Sequence, residues 1–182
     1  MRLSRNQFTG TLPSELGALG ATEIWLHRNA LTGTIPAELG NMSQLEDLRM
    51  HYNKISGTIP EELFRMTQLS RLDAYDLNLT GTISTRIGEM TSLTAYRIRN
   101  NRFRGTIPTE MGLLVDLQEA WLNGNDFIGS IPFELCSLRS PDTFWDLGAD
   151  CAPNGSVPPF VECMLGCCTF CCLHSDRLCY FD

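Results

Sequence analysis

The sequence lacks the features of several large protein classes. No run in it approaches the roughly 18 apolar residues of a membrane-spanning helix, and residues 1–6 contain no apolar core of a secretion signal. Positive charge is scarce too, since 14 Lys and Arg stand against 21 Asp and Glu and give a formal net charge of −7. We therefore expect no membrane span in this chain and no nucleic-acid partner.

The sequence also lacks the motifs of catalysis. It contains no phosphate-binding loop and no dinucleotide fingerprint. His27 and His51 stand near Glu23 and Asp47, but on an open strand face without a nucleophile. A glycosidase needs two carboxylates that face each other across a groove, whereas the repeated glutamates form a row on the predicted outer side: Glu15, Glu38, Glu62, Glu110 and Glu134. We expect no enzymatic activity, no cofactor and no metal.

Cysteine is absent from residues 1–135 and abundant after them. The eight cysteines are Cys136, Cys151, Cys163, Cys167, Cys168, Cys171, Cys172 and Cys179. An even number crowded into one end predicts a disulfide framework formed in an oxidising compartment. Zinc held by the paired cysteines is the alternative, but the glycosylation-type triplets at Asn41, Asn78 and Asn154 agree with secretion and favour disulfides.

These features predict an extracellular or cell-surface protein, although no secretion signal stands at residues 1–6. Leu3 aligns with Leu26 of the following repeat, so Met1 falls within a predicted strand. A repeat stack that began there would expose an apolar end. We therefore expect that a signal peptide and a capping segment lie upstream in the gene product.

One phrase is repeated along most of the chain. Asn29-Ala-Leu-Thr-Gly-Thr-Ile-Pro36 recurs with small changes, and its glycine returns once after 23 residues and then every 24, at Gly10, Gly33, Gly57, Gly81, Gly105 and Gly129. A period this steady predicts a solenoid, in which each repeat buries its apolar side only by stacking on its neighbours. We assign residues 1–158 to about six regular repeats plus a distorted seventh. A cysteine-rich cap, residues 136–182, overlaps the last repeat.

Each repeat contains the signals for three short segments. Leu48 and Met50 alternate with polar residues, which predicts a short strand with these two side chains inward. An asparagine such as Asn53 then turns the chain and bonds backbone groups. A second extended piece contains the glycine, and a single helical or 3₁₀ turn follows the proline. In the fourth repeat Leu77 occupies the asparagine position and Ser84 the proline position, so we predict a local break there.

The consensus Leu-x-x-Leu-x-Leu-x-x-Asn-x-Leu-Thr-Gly-Thr-Ile-Pro-x-Glu-Leu-Gly resembles the plant-type, extracellular subclass of leucine-rich repeat proteins. Residues 147–151, 161–163 and 167–172 are similar to the cysteine cap of secreted or membrane-anchored leucine-rich repeat proteins of diatoms and related algae. Residues 164–166 are additional to that pattern, so the disulfide connectivity stays open. The resemblance implies an α/β fold: a right-handed leucine-rich repeat solenoid with a parallel sheet on its concave face, short 3₁₀ or helical turns on its convex side, and a disulfide-rich C-terminal cap.

The resemblance also implies that the concave strands recognise another macromolecule, as in plant receptors, coreceptors and inhibitors of cell-wall-degrading enzymes. Outward side chains at equal positions of stacked strands form columns with about 4.8 Å between neighbours. The predicted columns are Trp25, Arg49, Asp73, Arg97, Trp121, Asp146; then His27, His51, Tyr75, Arg99, Asn123, Gly148; and then Arg28, Tyr52, Asp76, Asn100, Gly124, Ala149.

These columns contain the predicted partner-binding residues, because tryptophan, tyrosine and arginine often anchor interfaces. They are Trp25, His27, Arg28, Arg49, His51, Tyr52, Asp73, Tyr75, Arg97, Arg99, Trp121 and Asn123. The expected function is noncatalytic recognition of a protein or glycan, with receptor-like signalling as one setting. An enzyme inhibitor or an adhesive cell-wall component is the alternative. In the bland interpretation, Arg49, Asp73 and Arg97 form a solvated charge ladder.

Three further features admit both a functional and a plain interpretation. Arg97, Arg99, Arg102 and Arg104 form a basic cluster for an acidic ligand, or a solubilising surface. His27 and His51 are adjacent, which suggests a metal site or pH switch, but two imidazoles without a third ligand favour a structural role. Repeated hydroxyl residues form a third feature: Thr9, Thr11, Thr32, Thr34, Ser56, Thr58, Thr80, Thr82, Thr106 and Ser130. They suggest a surface that binds ice or crystalline polysaccharide, or simple duplication of the repeat. Arg104 and Ile128 interrupt the array.

Overall fold

Successive repeats stack to form one sheet along the length of the chain. The computed structural model describes residues 1–138, the strands at 146–150, 161–162, 170–172 and 179–181, and among these later strands the side chains of 147–149 only. The sheet, called here the concave sheet, contains Glu23–Trp25, Asp47–Arg49, Arg71–Asp73, Ala95–Arg97, Glu119–Trp121, Asp146–Asp150, Phe170–Cys172 and Cys179–Phe181 in that order. Neighbouring strands of this sheet are parallel except in the last pair. Parallel pairing is expected when every repeat crosses the stack in the same direction.

The alternation of the sequence decides which face of this sheet is buried. Ile24, Leu48 and Leu72 pair in register with one another and are at most 1% exposed. Tyr96, Ala120 and Leu147 continue the same inner column. Because strand side chains alternate between faces, the polar and aromatic residues between them lie on the opposite, open face. The predicted inward positions of these strands are confirmed.

A second set of short strands lies on another side of the stack. It comprises Thr9–Thr11, Ala30–Thr32, Ser56–Gly57, Asn78–Gly81, Arg102–Gly105, Asp126–Phe127, Gly129–Ser130 and Val161–Glu162. These strands pair in parallel with their neighbours along the stack, for example Thr9–Thr11 with Ala30–Thr32. Inward residues in or beside these strands, including Leu31, Ile55 and Phe103, join one continuous core with those of the concave sheet.

The outer side consists of single turns, as the sequence predicts. The 3₁₀ helices are Ser14–Ala18, Ala37–Asn41, Glu61–Arg65, Thr85–Glu89 and Thr109–Leu113, and the short α-helix Phe133–Cys136 follows them. Proline precedes most of these turns in an extended conformation. Ser84 replaces proline by capping its turn instead, since its Oγ accepts a hydrogen bond from the Arg86 N–H at 3.2 Å.

An asparagine ladder ties successive repeats together. The Asn53 Nδ2 donates to the carbonyls of Leu26 and Met50 at 3.0 and 2.8 Å, and its Oδ1 accepts from the Leu31 N–H at 3.0 Å. Asn29, Asn101 and Asn125 repeat this arrangement.

The ladder is broken at the fourth repeat, where the sequence predicts a break. Leu77 occupies the asparagine position and is buried. Because its side chain is apolar, it offers no acceptor to the main chain of the preceding repeat. The Ile55 N–H therefore lacks the asparagine acceptor that the equivalent N–H groups of Leu31 and Leu79 have. The hydrogen-bonded connection between the third and fourth repeats is therefore weaker than elsewhere.

The seventh repeat is displaced by two residues from the predicted alignment. Glu119 pairs with Asp146, Ala120 with Leu147 and Trp121 with Gly148. Asp146 and Gly148 are therefore each one column away from their predicted places, and Ala149 is buried rather than outward. The physical reason is that a shift of two residues preserves the inward and outward alternation, so the hydrophobic pattern alone does not distinguish the two registers.

The C-terminal predictions are only partly covered by the described residues. Val161–Glu162 pairs with Gly129–Ser130, whereas residues 155–158, predicted to repeat the Gly-Thr-Ile-Pro phrase, lie outside the described residues. Cys136 is disulfide-bonded. The side chains of the other seven cysteines, together with Asn154, lie outside the described residues, so the cap and its pairing stay predictions.

Candidate functional site on the concave sheet

The open face of the concave sheet carries a column in which arginine side chains lie against tryptophan rings at both ends. Strand pairing places Trp25, Arg49, Asp73, Arg97 and Trp121 on successive rungs, as predicted. The guanidinium of Arg49 lies 4.5 Å from the Trp25 ring centre, and that of Arg97 lies 4.4 Å from the Trp121 ring centre. Cation–π contacts of this kind hold flat side chains in fixed positions.

Three carboxylates beside this column, those of Asp47, Asp73 and Glu119, are paired with arginines. Arg49 binds both oxygens of Asp47, at 2.8 and 2.5 Å. Arg97 donates to Glu119 at 2.7 Å and to Asp73 at 3.2 Å. Only 2% of Asp73 is exposed, and burial raises the pKa of its carboxyl while the Arg97 charge acts in the opposite direction. The charges thus form paired groups along the sheet, in which Asp73 is buried while Arg49 and Arg97 are partly exposed.

The next column is a stack of rings. The His27 and His51 ring centres are 4.4 Å apart with planes 8° from parallel, and His51 and Tyr75 are 4.2 Å apart at 11°. The Arg99 guanidinium continues the stack, 5.0 Å from the Tyr75 ring centre and 4.6 Å from that of Trp121. Tyr52 packs edge-on against His51 and Tyr75. The predicted aromatic residues of four repeats thus meet in one surface.

Both stacked histidines favour the neutral form. Burial, with His27 and Arg49 acting in the same direction, lowers the pKa of His51 to about 3. Burial and the Arg49 charge also lower the pKa of His27. A neutral imidazole at pH 7 fits the packed stack, and the hypothesis of a switch near neutral pH at His51 is not supported. In the part of the chain that the structure describes, no three His, Cys, Asp or Glu side chains are grouped to hold a metal.

The third column has a backbone feature that sequence reasoning missed. Arg28, Tyr52, Asp76 and Asn100 have φ values of 57°, 55°, 51° and 53°, and Gly124 continues the series at 71°. Left-handed backbone is unfavourable for most residues, so its recurrence marks a tight turn imposed by stacking. Asn100 and Gly124 are residue types that tolerate it, and they were the available signal. The Arg28 guanidinium lies 5.0 Å from the Tyr52 ring.

Sequence reasoning also missed the residues that fix the arginines. Asp47 and Glu119 lie two residues before the column of Arg49 and Trp121, and therefore on the same face. Arg2 binds Glu23 at 2.7 Å and covers Trp25 at 4.0 Å. Strand alternation was the signal that would have included these residues.

The structure also places the predicted arginine cluster and two of the predicted glycosylation positions. Arg97 lies in the concave sheet, whereas Arg102 and Arg104 lie in the second set of strands, so the four arginines predicted as a cluster are divided between two sheets. Asn41 and Asn78 are exposed, which leaves both accessible as predicted glycosylation positions.

The exposed threonines have a packing role. A β-carbon at Gly57 would lie 2.9 Å from Thr34 Cγ2, and one at Gly81 would lie 2.9 Å from Thr58 Cγ2. The methyl group of each of these threonines therefore packs against the glycine of the next repeat. The same glycines have φ of 83° and 93°, which disfavours any other residue. Close stacking thus accounts for the repeated methyl groups in the column that contains Thr34 and Thr58.

The fold and the repeat pattern agree with known families. The Leucine Rich Repeat family model matches residues 1–19, 21–42 and 44–66. Together with the parallel stacked strands and outer 3₁₀ turns, this match shows that the chain contains leucine-rich repeats and has the leucine-rich repeat solenoid fold. No curated protein matches the chain by sequence.

Solved structures of plant receptors are similar to this chain. The Arabidopsis receptor kinase HAESA, in complex with the peptide hormone IDA and the co-receptor SERK1, is 30% identical with a TM-score of 0.76, covering 90% of this chain and 29% of that one. The plant peptide hormone receptor RGFR1, in complex with RGF2, is 35% identical with a TM-score of 0.74, covering 81% and 24%. The chain thus spans less than a third of the length of these receptor chains.

A plant ice-binding protein also has this fold. It is 22% identical to the chain with a TM-score of 0.73, and the match covers 80% of this chain and 54% of that one. At this identity the likeness concerns the fold alone.

Among the described residues, no helix has the length and apolar composition needed to cross a membrane.

Proposed function

We propose that this chain is a noncatalytic recognition module that binds a peptide or protein on the concave sheet. The observation that carries the proposal is the preorganised surface of rings and guanidinium groups across five neighbouring strands. Rigid aromatic and arginine side chains lose little freedom on binding, which favours affinity. The similarity to receptor structures solved with peptide hormones supports a peptide as the ligand class and an extracellular or cell-surface, receptor-like setting.

The proposal is tested by removing the three large rings together. A Trp25→Ala, Tyr75→Ala, Trp121→Ala variant is expected to lose binding of peptides selected against the wild-type protein by at least tenfold, since each change removes an anchor worth 1 kcal/mol or more, on the order of a typical hot spot. Isothermal titration calorimetry measures the loss. The matched control changes Val115, Ile128 and Phe133 to Ala, three exposed apolar residues outside the concave sheet.

Equal binding by the wild type and by the triple variant of Trp25, Tyr75 and Trp121, called here the ring variant, would place the interface elsewhere. Selection against immobilised plant cell-wall glycans, run in parallel, distinguishes a glycan ligand from a peptide. Retained far-ultraviolet circular dichroism in both variants shows that the fold is intact.

A further inference from the structure

Unsatisfied polar atoms are concentrated on the concave sheet. Within the described residues, six buried side-chain nitrogen or oxygen atoms have no hydrogen-bond partner. One is the Tyr96 hydroxyl in the core. The other five belong to the open face: Trp25 Nε1, His27 Nδ1, His51 Nδ1, Arg99 Nε and Asn123 Oδ1. Buried polar atoms are normally paired, because an unpaired one costs about 1–3 kcal/mol, so this face is the part of the molecule that a ligand would complete.

Arg99 and Asn123 are neighbours among these residues. The Ile98 N–H donates to the Trp121 carbonyl at 3.0 Å, and the Asn100 N–H donates to the Asn123 carbonyl at 2.9 Å. These bonds extend the parallel pairing past the strand ends and place Arg99 and Asn123 on adjacent rungs, about 4.8 Å apart. Only 7% of Asn123 is exposed. Two adjacent rungs thus carry a buried donor, Arg99 Nε–H, and a buried acceptor, Asn123 Oδ1, that have no partner among the described residues.

The protein itself supplies no partner for Arg99 within its described residues. Arg97 takes both Asp73 and Glu119. Asp76, the carboxylate of the third column, accepts a hydrogen bond from Asn100 Nδ2 at 3.0 Å. The Arg99 guanidinium is meanwhile held by the Tyr75 and Trp121 rings. Its position is fixed while its Nε–H remains available.

We propose that Arg99 and Asn123 together bind an amide group of a ligand peptide, an inference that rests on the proposed function. The Arg99 Nε–H donates to the amide oxygen, and Asn123 Oδ1 accepts the amide N–H. A ligand carboxylate would satisfy Arg99 but would set a second acceptor against Asn123 Oδ1, leaving that buried atom unpaired. With the Asn123 amide oriented as in the structure, the site favours an amide over a carboxylate. The amide belongs either to an Asn or Gln side chain or to the main chain.

The test uses peptides selected from a random heptapeptide library against the full chain. Each Asn or Gln of a selected peptide is changed to Asp or Glu, and each main-chain amide is separately N-methylated. At least one such change is expected to weaken binding to the wild type about tenfold, the size of one lost buried hydrogen bond. A side-chain change identifies the side-chain amide, and N-methylation identifies the main chain.

Variants of the protein assign the effect to this pair. Asn123→Leu is expected to bind the selected peptides and their amide-altered versions with dissociation constants within twofold of each other. Asn123→Asp places a carboxylate beside Arg99, which closes the site and lowers binding of the selected peptide. Asn78→Leu, the same change on an exposed position of another face, is the control and is expected to behave as the wild type.

Three results are decisive. Tighter binding of the Asp or Glu peptides to the wild type overturns the amide assignment, as does an undiminished preference in Asn123→Leu. If selected peptides lose binding in the ring variant yet are indifferent to every amide change, the amide inference fails and the proposed function stands. If the library yields no peptide that depends on the concave sheet, both fail.

Discussion

Tyr96 illustrates how one residue can conflict with its position in the repeat. It occupies the inner strand position that Leu48 and Leu72 hold in the two preceding repeats, and it is fully buried. Its ring is accommodated beside Ala120, a small residue on the next rung. Burial raises the pKa of its phenol, because no group stabilises the charged form. The hydroxyl has no hydrogen-bond partner within the described residues.

We predict that Tyr96→Phe stabilises the protein. Removing an unsatisfied buried hydroxyl is expected to raise the free energy of unfolding by about 1 kcal/mol, measured by urea denaturation. The converse change, Phe103→Tyr, adds a hydroxyl to another fully buried ring and is expected to lower it. A decrease for Tyr96→Phe would mean that the hydroxyl is hydrogen-bonded in solution.

At the scale of single elements, the outer turns depend on glycine for their close approach. A β-carbon at Gly40 would lie 2.6 Å from the carbonyl oxygen of Glu62 in the next turn, and one at Gly17 would lie 2.1 Å from that of Glu38. Gly112 has the same relation to Glu134. The repeated Leu-Gly pair is thus explained by contact between turns, whereas sequence reasoning treated it only as part of the consensus.

Gly40→Ala is therefore expected to destabilise the fold. The added methyl group meets main chain that cannot move without displacing the next repeat, so the loss is about 1–3 kcal/mol. Gly20→Ala is the control, since nothing lies within 4 Å of its would-be β-carbon. Thermal unfolding followed by circular dichroism compares the two. A similar melting temperature for both variants would show that the turns separate easily.

At the scale of the whole molecule, stability depends on coupling between neighbouring repeats. The asparagine ladder contributes to that coupling at every regular repeat and is interrupted at Leu77. Because Leu77 is buried without disturbing the stack, leucine can evidently occupy this position. The cost of losing an asparagine elsewhere therefore reports mainly on its hydrogen bonds.

We expect Asn53→Leu to destabilise the protein by about 2 kcal/mol, because a buried N–H and two carbonyls lose their partner. The second break lies directly beside the first, so the two halves of the stack should also unfold less cooperatively. Asn6→Leu, at an exposed position with two local bonds, should change little. Calorimetry measures both the melting temperature and the width of the transition. Equal effects of both variants would contradict the dependence on position in the stack.

Much of this architecture follows from spacing in the chain. The 24-residue period and the alternation around residues such as Leu48 and Met50 are local properties, and they specify stacked strands with Trp25, Arg49, Asp73, Arg97 and Trp121 in one column. Asparagine at a fixed place after each strand likewise predicts the ladder and its interruption at Leu77. These predictions hold because each repeat contacts only its neighbours, which makes the fold nearly one-dimensional.

Interactions between side chains of different repeats were settled by three-dimensional packing. No local pattern predicts that Arg97 pairs with two carboxylates while Arg99 pairs with none among the described residues. Nor does one predict that Gly148, rather than Asp146, lies beside Trp121. A two-residue shift leaves alternation unchanged, and the choice of ion-pair partner depends on distances of a few ångströms across strands. Periodicity in the chain therefore specifies the scaffold, whereas competition among neighbouring charges and rings in space determines which groups remain available to a ligand.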